Sequence, residues 1–460
     1  MTLLAVTPRF HKQFLLARNA VRYCNELHRD FGDFVLARGL LDFYFLNSPD
    51  LIGPVLLNKE GTIDRDAEKN KIYERLRNIG RTGLATSGAQ HWRSQRRRIA
   101  PLFTASAIRG FAETMIATGT EWAERWAVRS QDGEPFDMKT EMNELALDVN
   151  TRCLFGAKLR DEQARLQSWF SAMKAYIEGF PYPVLGEWWF PSLLNLHTRS
   201  ALRGFDRYAL GLIKERRAAP LDPDAKDMIT RMLSARDPET GRGMDDEQIC
   251  HEMLTFLIAG FETTSSALLW TFYQLSRAPE VEARMHAELD SVLGDRAMTP
   301  DELPRLDYTS RVIDEVMRQT PSAWFMARTA LQDIELGGQR ISQGSNMLMS
   351  IPTLHNNPDV WPDPGRFDPD RFLPEQVAQR SPNAYLPFGR GPHACIGAHF
   401  SRQELLVMVA ALGRRFRVRR SGPDIDPSDV RPGMSMYPRR SLRVRVERRQ
   451  AATAGAASRV

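Results

Sequence analysis

Cys395 stands in the run Phe388-Gly389-Arg390-Gly391-Pro392-His393-Ala394-Cys395-Ile396-Gly397, which leads at once into a helical pattern from Ala398 to about Leu412. A thiolate there lies near a helix N-terminus, where unpaired N–H groups and the helix dipole favour negative charge. The glycines at 389, 391 and 397 remove side chains, so a flat macrocycle can approach the backbone. An axial Cys thiolate on haem iron pushes electron density that favours O–O cleavage. A Gly-Pro loop that merely buries a free cysteine would share this composition.

A second chemistry-bearing run is Thr255-Phe256-Leu257-Ile258-Ala259-Gly260-Phe261-Glu262-Thr263-Thr264-Ser265, at the middle of the longest helical segment. Glycine costs about 1 kcal/mol relative to alanine inside a helix. A buried carboxylate such as Glu262 needs a partner or a shifted pKa. Local conflict of this kind is expected at functional sites. The plainer alternative is a helix bent by Thr hydroxyls that bond to preceding carbonyls. Glu315 and Arg318, three residues apart, share one helix face. Taken alone they would be an ordinary surface pair, worth about 0–1 kcal/mol.

Together these runs resemble the cytochrome P450 superfamily. Phe388, Gly391, His393, Cys395 and Gly397 fill every fixed position of that family's haem loop. The 259–263 segment is similar to its central-helix pattern of Ala/Gly, Gly, any residue, Asp/Glu and Thr. The resemblance implies haem b with Cys395 as the axial ligand and Phe388 and Gly397 against the cofactor. It implies that Ala259 and Gly260 leave room for dioxygen over the iron. Glu262 and Thr263 would relay protons, so that one oxygen atom leaves as water. Glu315, Arg318 and Arg371, the last in the Trp361–Phe372 segment, would form a structural cluster behind the haem. Trp92, Arg96, Arg328 and His393 would hold the propionates. Phe256, Ala259, Ala323, Trp324 and Met434 would face an apolar substrate, and the aromatic stretch 180–190 would gate entry.

The elements that must position these residues are mostly helices. Patterns run from about Lys12 to Arg29, after Ser48-Pro49-Asp50, through most of 105–178, over 200–217, from Asp245 to about Arg277, and over 280–292 and 310–319. Strand candidates at 34–37 and 43–47 join strands within 324–349, and Leu442-Arg443-Val444-Arg445-Val446 alternates as a half-buried strand does. The expected class is mainly α with a minor β part. The resemblance narrows it to a single-domain P450 fold over 1–448. There the haem lies between the long central helix and the helix after the cysteine loop. Residues 449–460 read as a disordered tail.

Composition narrows the function classes. The net charge of +5 is local: residues 439–460 hold seven Arg against Glu447, which leaves the rest of the chain near −1. A nucleic-acid binder needs a basic stripe on one face, so nucleic acid is excluded as a partner. Four cysteines in 460 residues make no disulfide framework. Cys24, Cys153 and Cys250 read as small buried hydrophobes. No signal peptide or transmembrane segment is evident, and a cytoplasmic setting is expected.

The resemblance implies a haem-thiolate monooxygenase that uses O₂ on a terpenoid, steroid or fatty acyl type of molecule. No flavin or ferredoxin domain follows Cys395, so a separate redox partner is expected, a ferredoxin with its reductase. It would dock where Arg390, His399 and Arg402, with Arg97 and Arg98, make the cysteine face basic. The alternatives are a haem-thiolate peroxygenase, isomerase or dehydratase, which often lose the acid–alcohol pair kept here at Glu262-Thr263. A haem-binding sensor or carrier would need no proton relay.

Overall fold

The computed structural model describes residues 3–6, 18–39, 42–65, 73–156, 163–178, 188, 192–218, 227–431 and 433–449. Helices dominate, and the larger sheet joins strands from residues 4–64 with strands from residues 325–350. Its strands lie in the order Leu4–Val6, Phe34–Ala37, Phe43–Leu46, Asn346–Ser350, Phe325–Ala330 and Ile63–Asp64. Phe34–Ala37 and Phe43–Leu46 pair antiparallel, with Phe34 opposite Leu46. Asn346–Ser350 then joins parallel to the second of these, bringing residues 300 positions later beside the N-terminal hairpin. Arg328 sits on this sheet, opposite Met347. A smaller sheet pairs Phe416–Arg420 with Arg443–Arg448, whose outward arginines alternate with buried Val444 and Val446.

The central helix runs from Asp246 to Leu275. Asp245 caps it by accepting the Gln248 N–H at 2.8 Å, and Asp246 and Glu247 complement the dipole of the first turn. It is the one helix, among the described residues, long and apolar enough to cross a membrane. Here most of it is core, packed closely against the Met138–Phe155 helix.

Several boundaries differ from the sequence reading. The first helix begins at Ala20, capped by Asn19, and extends to Phe31 rather than Arg29. Its expected start near Lys12 lies outside the described residues. The 200–217 pattern is the second part of a helix that starts at Leu193. The tail was expected from residue 449, but Arg449 is anchored to Asp290 at 2.7 Å. Residues 450–460 lie outside the described ones. Cys24, Cys153 and Cys250 are buried and unpaired, as expected.

Candidate active site

The cysteine loop folds back on itself. The Cys395 N–H donates to the Phe388 carbonyl at 2.8 Å, and the Ala394 N–H to Gly391 at 3.0 Å. Gly389 and Gly391 adopt φ of 67° and 75°, a region that side chains disfavour. A Cβ on Gly391 would also lie 2.0 Å from the Leu56 carbonyl oxygen. The loop and the end of the Pro49–Leu57 helix are therefore locked by backbone proximity. The Ala398–Gly413 helix leaves the loop directly from Gly397. Burial pushes the Cys395 thiol up, while a hydrogen bond from the Gly397 N–H and the Arg96 charge pull it down. Protein surrounds the sulfur, yet the residue keeps open space in front of it. Its exposure is therefore to an internal chamber.

The central helix is expected to supply the opposite wall. Residues 249–257 and 264–275 are buried, yet Ala259 is exposed in the middle of the helix. Thr263 Oγ1 keeps open space one turn later and donates to the Ala259 carbonyl at 2.6 Å. That is the hydrogen bond of a bent helix, and it uses the hydroxyl's proton while leaving its oxygen free to accept. Phe256 packs edge-on against Phe103, with ring centroids 5.0 Å apart. Ala323 is exposed. Trp324 is held by its indole N–H, which donates to the Gly433 carbonyl at 2.9 Å next to Met434.

Two central-helix residues are placed differently from the expectation. A Cβ on Gly260 would lie 2.4 Å from Asn150 Oδ1. The glycine thus admits the neighbouring Met138–Phe155 helix, whereas Ala259 faces the open space. Glu262 is buried and pairs with Lys174 of the Gln163–Glu178 helix, and Lys174 also reaches Glu178 at 3.3 Å. Burial works against the Lys174 ammonium, but Glu262 and Glu178 hold its pKa above the ordinary value. Glu262 and Thr263 therefore point to two environments, one into a buried charge cluster and one into the chamber.

A cationic edge closes the chamber on the sheet side. Trp92 and His393 stack, with ring centroids 4.0 Å apart. His393 Nε2 meets Asp64 Oδ1 at 2.8 Å, while Nδ1 is buried without a partner. Arg65 and Arg328 lie beside them. Burial lowers the pKa of both guanidiniums, with nearby Asp64 and Tyr73 acting the other way. Arg65 Nε is also an orphaned buried donor. Arg96 is half-buried and close enough to Cys395 to feel its charge. No described carboxylate pairs with Arg96 or Arg328. Orphaned donors and crowded cations around one small acid fit a group that carries carboxylates, as haem does. The thiol-bearing loop at their side fits its iron.

Behind this site, Arg318 Nε and Nη2 donate to Glu315 Oε2 and Oε1 at 2.7 and 2.8 Å. Both side chains are 0% exposed. Arg371 Nε lies 3.5 Å from Glu315 Oε1, so the three expected residues do meet. Arg318 also donates to the His355 and Pro364 carbonyls, each at 2.8 Å. Glu315 is thus tied to the segment that leads to the cysteine loop.

The basic face is weaker than expected. Arg97 and Arg98 lie 3.2 and 3.8 Å from Asp237, and Arg402 lies 2.8 Å from Asp314. Arg390 and His399 have no described acid partner. Sequence reasoning missed Arg65, Tyr73, Lys174 and Glu404. Glu404 is fully buried between the Ala398–Gly413 helix and Asn150, whose Nδ2 reaches it at 3.3 Å. Burial pushes its carboxyl well above the ordinary range. An acid ahead of the apolar run Leu405–Leu412 was the available signal. Lys174 gave none, because it lies on a helix of ordinary composition.

The chain matches the family described as Cytochrome P450 over residues 5–445. It is 35% identical to cyclooctatin synthase of Streptomyces melanosporofaciens, over 92% of this chain and 90% of that one. It is 32% identical to pentalenene oxygenase of Streptomyces avermitilis, over 91% of each chain. Its fold superposes on the crystal structure of the cytochrome P450DA heme domain with a TM-score of 0.87 at 27% identity, covering 97% of this chain and 98% of that one. With that family model over nearly the whole length and relatives at this identity and coverage, the chain belongs to the cytochrome P450 family.

Proposed function

We propose that this P450 monooxygenase hydroxylates a cyclic terpenoid-sized apolar molecule, with electrons from a separate ferredoxin and its reductase. The observation that carries this reading is the exposure of Cys395 in its loop and of Ala259 at the middle of a largely buried helix. The residues expected to face the substrate, Phe256, Ala323, Trp324 and Met434, are all uncharged. Ligand sites of this kind are mostly apolar, with few orienting polar groups. Supporting it, a relative 33% identical over 84% of this chain is named cyclooctat-9-en-7-ol 5-monooxygenase, from Streptomyces melanosporofaciens. On this reading residues 1–449 form one P450 domain in a cytoplasmic setting.

Cys395 would ligate the haem iron, and Trp92, Arg65, Arg96, Arg328 and His393 Nδ1 would hold the propionates. When bound, haem supplies the oxygen-activating chemistry. The chain's own part is to orient, exclude water and supply protons. Phe256 and Trp324, each fixed by a partner, set the substrate's pose. The Thr263 hydroxyl holds a proton at the chamber wall, and the Lys174–Glu262 pair behind it is the source that can restore that proton.

Thr263→Ala is expected to keep substrate binding and to lower product per NADPH by roughly tenfold or more, the scale of a lost proton-transfer group. An unchanged yield would leave the Thr263–Ala259 bond as a purely structural bend. The substrate class is tested by screening compounds for displacement of iron-bound water in the holoprotein, read as a spin-state change. Cyclic terpenoids are expected among the tightest ligands. A screen answered only by charged or highly polar compounds would end this reading. For the partner, reduction by ferredoxin is expected to slow as salt rises, since charge steers such encounters. Reduction indifferent to ionic strength would remove the charge-steered docking.

A further inference from the structure

Phe388 opens the cysteine loop, and its carbonyl takes the Cys395 N–H at 2.8 Å. Whatever fixes the Phe388 side chain therefore acts on the backbone that carries the sulfur. Arg402, on the second turn of the Ala398–Gly413 helix, lies over the Phe388 ring, its guanidinium carbon 5.4 Å from the ring centroid. A cation so placed is attracted by the face of the ring.

The guanidinium is held there by a frame of packed groups. Arg402 Nη2 lies 2.8 Å from Asp314 Oδ1, and the Asp314 side chain is only 15% exposed. The Tyr385 hydroxyl is placed to donate to the same carboxylate oxygen at 2.8 Å. Tyr385 is fixed in turn, its ring centroid 4.8 Å from that of Phe372 and 5.4 Å from that of His355. His355 Nε2 accepts the Leu386 N–H at 2.8 Å, and the His355 carbonyl accepts Arg318 at 2.8 Å. Asp314, the next residue to Glu315, thus belongs to the same frame as the enclosed Glu315–Arg318 pair. Arg402 ties that frame to the ring at the start of the cysteine loop.

An exposed ion pair by itself is worth little. Here one half-buried guanidinium serves a held carboxylate and an aromatic ring at once, so its geometry is fixed from both sides. The same pairing reduces the net charge it offers to an acidic protein approaching that face. We propose that Arg402 is a positioning residue: tied to Asp314, it clamps Phe388 and so keeps the Cys395 sulfur in its ligating position. This inference rests on the reading of Cys395 as the haem ligand.

The test uses the reduced, carbon-monoxide-bound holoprotein in a fixed urea concentration below its global unfolding transition. It reads how fast the red-shifted thiolate Soret band gives way to the band of a haem that has lost the thiolate. Arg402→Gln is expected to speed that loss roughly fivefold or more, the scale of a lost cation–π contact, while far-UV circular dichroism stays unchanged. Arg402→Lys keeps a cation for both partners and should recover most of the parental rate. In a Phe388→Leu background, Arg402→Gln should add nothing further, because the ring it acts through is gone. Should Arg402→Gln fail to fold, Asp314→Ala frees the guanidinium without removing it. It is expected to speed the loss as well, and again only while Phe388 is present. Arg445→Gln, an exposed arginine on the small sheet, is the control and should behave as the parent.

Band loss at the parental rate, an equal acceleration with and without the Phe388 ring, or band loss that only follows the circular dichroism would overturn the proposal. So would an equal acceleration in Arg445→Gln. Slower reduction by ferredoxin with a parental rate of band loss would make Arg402 a docking residue instead. A parent protein that never shows the thiolate band would refute the Cys395 assignment and this inference with it, a failure visible before any variant is made.

Discussion

Cys395→Ala is expected to abolish the red-shifted Soret band that the reduced, carbon-monoxide-bound protein owes to thiolate ligation. None of the other cysteines can stand in. Burial pushes the Cys24 and Cys250 thiols up to about 12 and the Cys153 thiol well above its ordinary value, and each is buried. Burial pushes the Cys395 thiol up as well, but the Gly397 N–H and Arg96 favour its charged form, and it is the exposed one of the four. Replacing Cys24, Cys153 or Cys250 should leave the band in place. A Cys395→Ala protein that kept it would show that the loop is structural and the ligand lies elsewhere.

The second large effect is expected from Arg318→Met. Arg318 and Glu315 are fully enclosed, and the arginine also satisfies two backbone carbonyls. Removing one member of a buried pair leaves an uncompensated charge, a loss of about 3–5 kcal/mol. Against a typical stability of about 5–15 kcal/mol, much of the protein should fail to fold with haem. Replacing Glu315 as well should recover part of the loss, because the stranded carboxylate goes with it. By contrast, Arg340→Ala breaks an exposed pair with Asp333 and should change stability by only about 0–1 kcal/mol. Denaturant titration of the three variants checks the order. Equal losses in Arg318→Met and Arg340→Ala would refute the role given to burial.

What could be read from the sequence was chemistry packed into short runs. The loop at 388–397 carries its glycines, its cysteine and the start of the next helix within a few residues, so its geometry is local. The polar interruption at 259–265 announced itself because the helix around it is apolar. The pair Glu315–Arg318 sits on one helix face and needs no distant information. Contacts between distant residues were not legible. Lys174 meets Glu262 from 88 positions away, and a lysine on an amphipathic helix usually faces water. Asp64, paired with His393 across 329 positions, sits in a polar stretch with no pattern that points to that partner. Gly260 was assigned to the chamber by pattern, but its neighbour is Asn150, a choice only the packing of two helices could reveal. The basic face was overestimated for the same reason, since Asp237 and Asp314 could not be placed beside Arg97 and Arg402 without the fold.

The most direct measurement is a turnover under ¹⁸O₂ in ordinary water. It uses the holoprotein, a ferredoxin with its reductase, NADPH, and the apolar compound that displaces iron-bound water most tightly. Mass spectrometry of the product and of the water formed follows the label. A monooxygenase built on Cys395 places one ¹⁸O atom in the product and the other in water, with one NADPH consumed per product. A product formed from that compound without any ¹⁸O would contradict the account.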